Sequence, residues 1–511
     1  MSNFQLIVPM TGTGQRFKDA GYSQLKPMIE INGRSFFEYV VDMFPTAKDI
    51  LFIISRDEPQ KVDLLERIHR SYPHAGVVEI LAHKLGPSYA LLQAADWINE
   101  TKKIIVSYCD YHAVWNPSEM LDQLEEMDGS ILTYTGFHPH MARSDKYAYV
   151  TKIGKTVTAI QEKTPFTDTP MNEEASAGCY GFSSKQVLIQ ALQNQIKSNL
   201  SFNGEFYTSL TYRPIIQNAG KVGTVVAQKF SQWGTPEDFA DWRYWNDFRK
   251  HDHATCQNCA KSSELAMSSI ILAAGAGKRI EKFSKTSKPN IPVGSLRLWE
   301  FSRNLAKRGS IIVVTRKEIG IESTRAGREK LIEIEGMTEG QASTAQIGLE
   351  SIAEENKNPV HIFSSDNIMC AGSIDQAMNE IIVADLVVWT VTGYPPAQYA
   401  PDHYSWLSLD KQNKVKGVVA KSAPKDLMHT PLIIGNFTFK NSNLAKELIS
   451  YLQDNEIRVN NEFYLDSVID VALQQGMVVS FVQVKSFMAL GTEYELNVHN
   501  YYWNSIRNEN G

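Results

Sequence analysis

Short apolar runs alternate with amphipathic segments along the whole chain. Four runs in the first half have the length and composition of buried strands: 6–10 (LIVPM), 49–56 (DILFIISR), 103–109 (KIIVSYC) and 130–137 (SILTYTGF). Segments 35–44 and 88–98 instead repeat apolar residues at helical spacing. This alternation predicts an α/β fold with a doubly wound, mostly parallel, Rossmann-like sheet and helices on both faces. Ligands of such sheets bind at the carboxyl ends of the strands.

The same pattern of motifs occurs twice. Landmarks of the first half return 254–257 residues later, in the pairs Gly86 and Gly340, Asp110 and Asp366, Tyr147 and Tyr404, Asn203–Tyr207 and Asn460–Tyr464, and Gly234 and Gly491. A nearly constant separation over so many landmarks indicates an internal repeat. We therefore predict two tandem domains, 1–250 and 268–511, joined by a linker at 251–267.

A glycine-rich turn follows the first apolar run of each half. Glycine lets the backbone approach a bulky anion, and the amides of such a turn can point at phosphate oxygens. An arginine and a lysine of a Lys-Pro pair come soon after each turn. The residues are Gly12, Gly14, Arg16 and Lys26 in the first half and Gly275, Gly277, Arg279 and Lys288 in the second. This combination of turn and cations suits a triphosphate.

Composition narrows the class of protein. The chain has 511 residues, is 43% hydrophobic and carries a net charge of −6. A negative balance argues against a nucleic-acid partner, and no apolar run is long enough for a membrane span. The five cysteines and the lack of a signal peptide favour the cytoplasm. We expect a globular protein that binds small anionic molecules.

One aspartate follows a buried strand in each half. Asp110 comes after KIIVSYC, and Asp366 comes after VHIFSS. A carboxylate at a strand end can hold Mg²⁺ when waters and substrate phosphates complete the coordination. The alternative is an aspartate that only caps the next turn.

These motifs, in this order, resemble the sugar-1-phosphate nucleotidyltransferase family. The resemblance covers nearly the whole chain once in each half, and the first half is most similar to members found with bacterial capsule and surface-polysaccharide genes. It implies transfer of an NMP from CTP, UTP or dTTP to a phosphorylated sugar or alcohol, with Mg²⁺ as cofactor and pyrophosphate as the second product.

The resemblance also implies roles for individual residues. The two Arg–Lys pairs would hold the triphosphate, and Asp110 and Asp366 would be metal ligands. Gly86 and Gly340 would touch the nucleobase, with Gln341 able to hydrogen-bond a base edge where the first half has Pro87. Lys163 and Lys421 would bind the acceptor phosphate. Glu205 and Glu462 would be either second metal ligands or acceptors for sugar hydroxyls.

The chain departs from the family pattern in two places. Relatives usually carry an Asp or Asn beside the late Gly-Thr, whereas Trp233 and Leu490 stand there in this chain. Lys163 follows a glutamate, Glu162, whereas Lys421 follows Ala420. Loss of that glutamate is expected to change the second acceptor pocket. The aromatic residues Tyr147, Tyr404 and Trp233 either line the acceptor sites or belong to the core.

Several alternatives stay open. Both halves are catalytic, or one is a regulatory module that binds a nucleotide or sugar. A glycosyltransferase of related fold is a third option, although it normally carries Asp-x-Asp, which Asp110-Tyr-His112 does not match. The cluster His251, His253, Cys256 and Cys259 predicts a polar linker, or otherwise a small zinc site. The nucleobase, the acceptor and the oligomeric state are not determined by these motifs.

Overall fold

The computed structural model describes residues 3–250, 267–281, 286–306, 309–322, 328–369 and 373–503. The chain divides into two compact units, Met1–Arg243 and Tyr244–Gly511. The predicted linker lies outside the described residues except for Met267, and so does the histidine and cysteine cluster of residues 251–259.

Among its described residues, the first unit contains 13 strands and most of eight α-helices. The strands are β1 (Phe4–Met10), β2 (Glu30–Ile31), β3 (Arg34–Ser35), β4 (Asp49–Ser55), β5 (Gly76–Ile80), β6 (Lys103–Ser107), β7 (Tyr111–Val114), β8 (Gly129–Tyr134), β9 (Ala148–Ile153), β10 (Thr156–Glu162), β11 (Glu174–Phe182), β12 (Val222–Val226) and β13 (Lys229–Gln232). The helices are α1 (Gln15–Asp19), α2 (Phe36–Asp42), α3 (Lys61–Ser71), α4 (Pro87–Gln93), α5 (Pro117–Gln123), α6 (Lys185–Lys197), α7 (Tyr212–Gln217) and α8 (Pro236–Lys250), whose last residues belong to the second unit.

Nine of these strands form one mixed sheet. Its main path runs β10-β9-β11-β6-β1-β4-β5, and β8 pairs with β11 and with β12. Strands β5, β4, β1 and β6 are parallel, and β11 runs antiparallel to β6, β8 and β9. Apart from β11 and β10, all strands therefore point the same way.

The second unit repeats this arrangement. Its strands are β14 (Ser268–Ala273), β15 (Pro292–Val293), β16 (Leu296–Arg297), β17 (Ser310–Arg316), β18 (Glu329–Ile334), β19 (Val360–Ser364), β20 (Asn367–Met369), β21 (Leu386–Val391), β22 (Ser405–Leu409), β23 (Val415–Ala420), β24 (Leu432–Phe439), β25 (Val479–Gln483) and β26 (Phe487–Ala489). Its helices are α9 (Leu298–Leu305), α10 (Gln341–Glu350), α11 (Ser373–Glu380), α12 (Pro395–Tyr399), α13 (Ser442–Asp454), α14 (Val468–Gln474) and α15 (Glu493–Trp503). The nine-stranded sheet has the order β18-β17-β14-β19-β24-β21-β25, with β22 paired to β23 and β24. The predicted α/β class with two tandem domains is confirmed.

Both faces of each sheet are covered, which explains the continuous apolar strands. Along β1, Leu6 and Val8 pack into one core cluster, whereas Ile7 packs into another on the opposite face. A strand that alternates between two buried faces needs apolar side chains at every position. The same holds along β6, where Ile105 lies in the first cluster and Ile104 in the second.

Pairing of parallel strands brings the predicted motifs together. Strand β1 pairs with β6 in the first unit, and β14 pairs with β19 in the second, each in parallel. The segments after these strands therefore leave the same edge of the sheet. Those segments are the glycine turns and the loops that carry Asp110 and Asp366.

Candidate active site

The glycine turns present unpaired amides. The backbone N–H groups of Gly12, Thr13 and Gly14 have no acceptor within the part of the chain that the structure describes. Gly14 has a φ of 62°, and an added Cβ would lie 3.1 Å from the Cβ of Lys26. Glycine therefore allows the turn to adopt a left-handed conformation against the lysine stem. Amides arranged in this way can bind an anion.

The second turn has the same features. Gly277 has a φ of 66° and packs against Lys288, and the amides of Gly275, Ala276 and Gly277 find no acceptor among the described residues. Here Arg316 also fixes the turn, because its Nε donates to the Ala274 carbonyl oxygen at 2.9 Å.

The predicted lysine and aspartate form an ion pair in the first unit. Lys26 Nζ lies 2.6 Å from Asp110 Oδ2 and 2.7 Å from the Gly234 carbonyl oxygen. The lysine begins a short 3-10 turn, Lys26–Met28, in which Pro27 is buried. Small strands β7 and β13 bring Gly234 to this point, and the Trp233 amide donates to the Asp110 carbonyl oxygen at 2.9 Å.

The second unit forms the same ion pair. Lys288 Nζ lies 2.5 Å from Asp366 Oδ2, and the Ser364 hydroxyl donates to Asp366 Oδ1. Burial alone would raise the pKa of Asp366. The charge of Lys288, the hydrogen bonds and the charge of Arg279 outweigh that effect and hold the pKa below its ordinary value.

Arg16 and Arg279, the arginines that follow the two glycine turns, interact electrostatically with different residues. Both are exposed. Arg279 acts electrostatically on Asp366, on Lys421 and on the phenol of Tyr404. Burial raises the pKa of Tyr207, and the charge of Arg16 opposes that rise. Each arginine therefore lies within electrostatic reach of a residue that its own unit places near the candidate site.

Gly86 and Gly340 approach another backbone segment closely. A Cβ on Gly86 would lie 2.8 Å from the amide nitrogen and carbonyl oxygen of Phe206. A Cβ on Gly340 would lie 2.6 Å from the Phe463 carbonyl oxygen, and φ is +86° and +135° at the two glycines. The glycines therefore allow the segments that carry Glu205 and Glu462 to lie against the start of α4 or α10. Gln341 is the first residue of α10 and lines the cavity of the second unit.

Lys163 and Lys421 adopt the same unusual backbone conformation. Their φ angles are 60° and 52°, and their amides donate to the carbonyl oxygens of Tyr147 and Tyr404 at 2.9 and 3.1 Å. Lys163 Nζ lies 5.0 Å from the centre of the Tyr207 ring, and Lys421 Nζ lies 5.2 Å from that of Tyr464. A left-handed lysine is uncommon, and its repetition indicates that the position of the ammonium group is specified.

Glu205 and Glu462 lie on equivalent turns. Each is exposed and forms an isolated bridge with the residue three positions earlier, Phe202 or Val459. Glu205 interacts with the Tyr207 hydroxyl. Glu462 lines the same cavity as Asp366 and Lys421.

The late glycine of the second unit lies beside a carboxylate that the motifs did not reveal. Glu495 is 2% exposed, and its Oε2 accepts from the Gly491 amide at 2.8 Å. Its Oε1 accepts from the hydroxyls of Tyr394 and Tyr404 at 3.1 and 2.8 Å. A Cβ on Gly491 would lie 3.3 Å from Glu495 Oε2 and 3.4 Å from Lys288 Nζ.

The first unit has a counterpart, because Asp238 stands four residues after Gly234 as Glu495 does after Gly491. Asp238 is buried near Arg143, and burial raises its pKa to about 6. Sequence reasoning sought a carboxylate before the late glycine, whereas both units place one after it.

Trp233 belongs to the core. It is 1% exposed and stacks on Phe36, with ring centroids 5.1 Å apart. It also meets Tyr39 edge-on. The sequence left open whether Trp233 lines the acceptor site or belongs to the core, and the structure supports the core. Tyr404, by contrast, lines the cavity of the second unit.

The second unit contains a cavity of about 580 Å³ at the edge of the sheet. It is lined by the residues predicted for that half: Gly275, Gly277, Arg279, Lys288, Gly340, Gln341, Asp366, Lys421 and Glu462. The structure therefore brings the separate motifs of one repeat around one space. That space has the size of a small-molecule site.

Each unit offers one strand-end carboxylate to a metal ion. Among the described residues, no group of three His, Cys, Asp or Glu side chains could hold a metal by itself. Magnesium commonly takes one or two protein carboxylates and completes its octahedron with waters and phosphate oxygens. Asp110 and Asp366 therefore fit a magnesium ion that arrives with a phosphate ligand.

Comparison with known proteins identifies the family of the chain. The family model described as nucleotidyl transferase matches residues 7–254 and again residues 268–505. Since the two matches span most of the chain, the chain belongs to the nucleotidyl transferase family. A comparison with the curated proteins found no match.

Solved structures align with slightly less than half of the chain. The nucleoside-diphosphate-sugar pyrophosphorylase from Vibrio cholerae RC9 is 22% identical over 47% of this chain and 99% of its own, with a TM-score of 0.40. The inositol-1-phosphate CTP transferase from T. maritima is 16% identical over 46% of this chain and 90% of its own, with a TM-score of 0.37. A putative glucose-1-phosphate thymidylyltransferase from Bacillus anthracis is 13% identical over 46% of this chain and 92% of its own, with a TM-score of 0.38.

Within the described residues, no helix has the length and apolar character needed to cross a membrane.

Proposed function

We propose that each unit transfers an NMP from an NTP to a phosphorylated sugar or alcohol and releases pyrophosphate. The main support for this proposal is a geometry that occurs in both units. In each unit, a turn with unpaired backbone amides lies beside a lysine–aspartate ion pair at the edge of the sheet. The same unit contains a second lysine, whose backbone is left-handed. CTP, UTP and dTTP are the candidate nucleotides. Surface-polysaccharide precursors such as those of a capsule are the candidate products, made in the cytoplasm.

The triphosphate would bind to the glycine turn and its cations. Unpaired backbone amides can donate to phosphate oxygens without first giving up another acceptor. Arg16 and Lys26, or Arg279 and Lys288, would neutralise the charge that develops on departing pyrophosphate. Phosphoryl transfer depends mainly on such positioning and electrostatic stabilisation.

The acceptor phosphate would bind to Lys163 or Lys421. Burial lowers the pKa of Lys421, while the charges of Asp466 and Glu462 oppose the shift. A phosphate dianion would supply the missing countercharge. Its oxygen would then attack the α-phosphorus of the nucleotide in line with the leaving pyrophosphate. Glu205 and Glu462 would accept hydroxyl groups of the acceptor.

Magnesium would be held by Asp110 and by Asp366, together with phosphate oxygens and waters. When bound, it would add positive charge beside the phosphates. The ion pairs with Lys26 and Lys288 hold the two carboxylates in position at the edge of each sheet.

Pyrophosphate release from the full chain tests this proposal. Four NTPs are each combined with hexose 1-phosphates, a heptose 1-phosphate, glycerol 3-phosphate and phosphocholine. A double variant, Lys26→Ala with Lys288→Ala, should lose release by orders of magnitude. The matched control is Lys18→Ala, which removes an exposed lysine from the same short helix as Arg16. Equal activity of the double variant and the control would refute the proposal.

A further inference from the structure

The second unit lacks the glutamate that precedes the acceptor lysine. In the first unit, Glu162 ends strand β10, is buried, and lies 3.3 Å from Lys163 Nζ. The Ser209 hydroxyl donates to Glu162 Oε2 at 2.5 Å. Ala420 ends strand β23 in the second unit, directly before Lys421.

The hairpins show that these positions are equivalent. Glu162 pairs with Ala148 at the start of β9, and Ala420 pairs with Ser405 at the start of β22. The left-handed lysine follows directly in both units. The comparison is therefore between two copies of one backbone, in which a carboxylate is present once and absent once.

A different element supplies a carboxylate in the second unit. Ser209 lies in the 3-10 turn Thr208–Thr211, and 257 residues later Asp466 lies in the turn Leu465–Ser467. The hydroxyl that binds the carboxylate also comes from a different position. Asp466 hydrogen-bonds to Ser405, which is the equivalent of Ala148 in the first unit. The carboxylate therefore comes from the 3-10 turn instead of the strand that ends before the lysine, and its hydroxyl partner comes from the neighbouring strand of the hairpin. The lysine keeps the same position in both units.

Asp466 is directed at the cavity. It is 9% exposed and lines the same space as Lys421, Tyr404 and Glu462. Within the described residues it forms no ion pair, and Ser405 is its side-chain hydrogen-bond partner. Burial raises the pKa of Asp466, and the charge of Lys421 opposes that rise. A buried carboxylate with so few protein donors retains acceptor capacity for a ligand.

We infer that Asp466 is a further acceptor-binding carboxylate of the second unit, in addition to Glu462: it accepts a hydroxyl of the phosphorylated substrate whose phosphate binds Lys421. The carboxylate comes from a shorter side chain on a different element than Glu162. Because the carboxylate beside the acceptor lysine occupies a different place in each unit, the two units should select different acceptors. This inference rests on the proposed function.

The test uses the full chain with Lys26→Ala, so that turnover comes from the second unit. Pyrophosphate release is first measured for CTP, UTP and dTTP with α-D-glucose, galactose and mannose 1-phosphates, glycerol 3-phosphate and phosphocholine. Absence of release with every pair would refute the proposed function for this unit, and the inference with it. That outcome appears before Asp466 is altered, so it is distinguishable from failure of the inference alone.

With an active pair, Asp466→Ser and the isosteric Asp466→Asn should raise the acceptor KM about 10- to 100-fold, as expected for loss of a charged hydrogen bond. The KM for the nucleotide should change less than about twofold if the contact is confined to the acceptor. Adding Ala420→Glu to Asp466→Ser recreates the arrangement of the first unit and should alter which acceptor is preferred.

The control is Asp470→Asn. Asp470 accepts from the Val418 amide at 3.1 Å on the hairpin that carries Lys421, but it does not line the cavity. The Asp470→Asn variant should have the same KM values for acceptor and nucleotide as the Lys26→Ala parent protein. An unchanged acceptor KM in both Asp466 variants, or an equal rise in the nucleotide KM, would overturn the inference.

Discussion

Replacement of Gly86 by alanine should damage the first unit more than replacement of Gly136, a glycine with nearly the same φ. Gly136 provides the comparison, because its φ is +87° against +86° at Gly86 and nothing lies within 4 Å of its added Cβ. Gly136→Ala therefore reports the cost of an alanine at positive φ without a steric collision, about 1–2 kcal/mol.

Gly86→Ala adds a collision with backbone. The new Cβ would lie 2.8 Å from Phe206, whereas ordinary contact begins at 3.4 Å, so that segment must retreat by about 0.6 Å. Retreat is opposed by two hydrogen bonds, from the Phe206 amide to the Leu85 carbonyl oxygen at 2.8 Å and from the Ser88 amide to the Phe206 carbonyl oxygen at 3.0 Å. Overpacking of this kind costs about 1–3 kcal/mol beyond the strain.

Urea unfolding of both variants, with the transition of the first unit followed, measures the two free energies. Gly86→Ala should be less stable than Gly136→Ala by about 1–3 kcal/mol. It should also lose first-unit turnover, since the displaced segment carries Glu205, whereas Gly136→Ala should keep it. Equal destabilisation by the two substitutions would refute the close approach at Gly86.

Three further predictions concern single side chains. The Arg67 guanidinium and the hydroxyls of Ser35 and Ser71 overcome burial and lower the pKa of Glu38 from 4.5 to about 2, which corresponds to about 3 kcal/mol of stability above pH 4.5. Glu38→Gln should lose this amount at pH 7 in urea unfolding, and the difference from the parent should shrink as pH falls from 4.5 toward 2; a constant difference would contradict the pKa. Asp110→Asn should raise the Mg²⁺ concentration needed for half-maximal first-unit activity about tenfold or more. An unchanged Mg²⁺ titration would show that Asp110 is not a metal ligand. Lys163→Met should raise the KM of the first unit for the acceptor with little change in its KM for the nucleotide. Equal changes in the two KM values would contradict a specific role of Lys163 in acceptor binding.

Local, repeated motifs could be predicted from the sequence. The glycine turns and the lysine and aspartate of each half lie next to apolar strands, and parallel pairing brings them to one edge. The ion pair between Lys26 and Asp110 was not predicted, because 84 residues separate them and no local pattern records the contact.

Direction and distant contacts were harder to predict. The apolar run of β11 is compatible with either strand direction, and the structure places it antiparallel to β6 and β8. Glu495 lies in a helix and Asp466 in a 3-10 turn, and no local motif distinguishes either of them. Only the folded neighbours, Gly491 for the first and Ser405 for the second, show that they face a site.

The central claim is that both units are catalytic, and separate removal of their triphosphate lysines tests it most directly. Pyrophosphate release is measured for Lys26→Ala and for Lys288→Ala with every NTP and acceptor pair that the parent uses. We predict that each variant loses a different pair and keeps the other. Loss of all activity in one variant with none lost in the other would contradict the claim and leave one unit without a catalytic role.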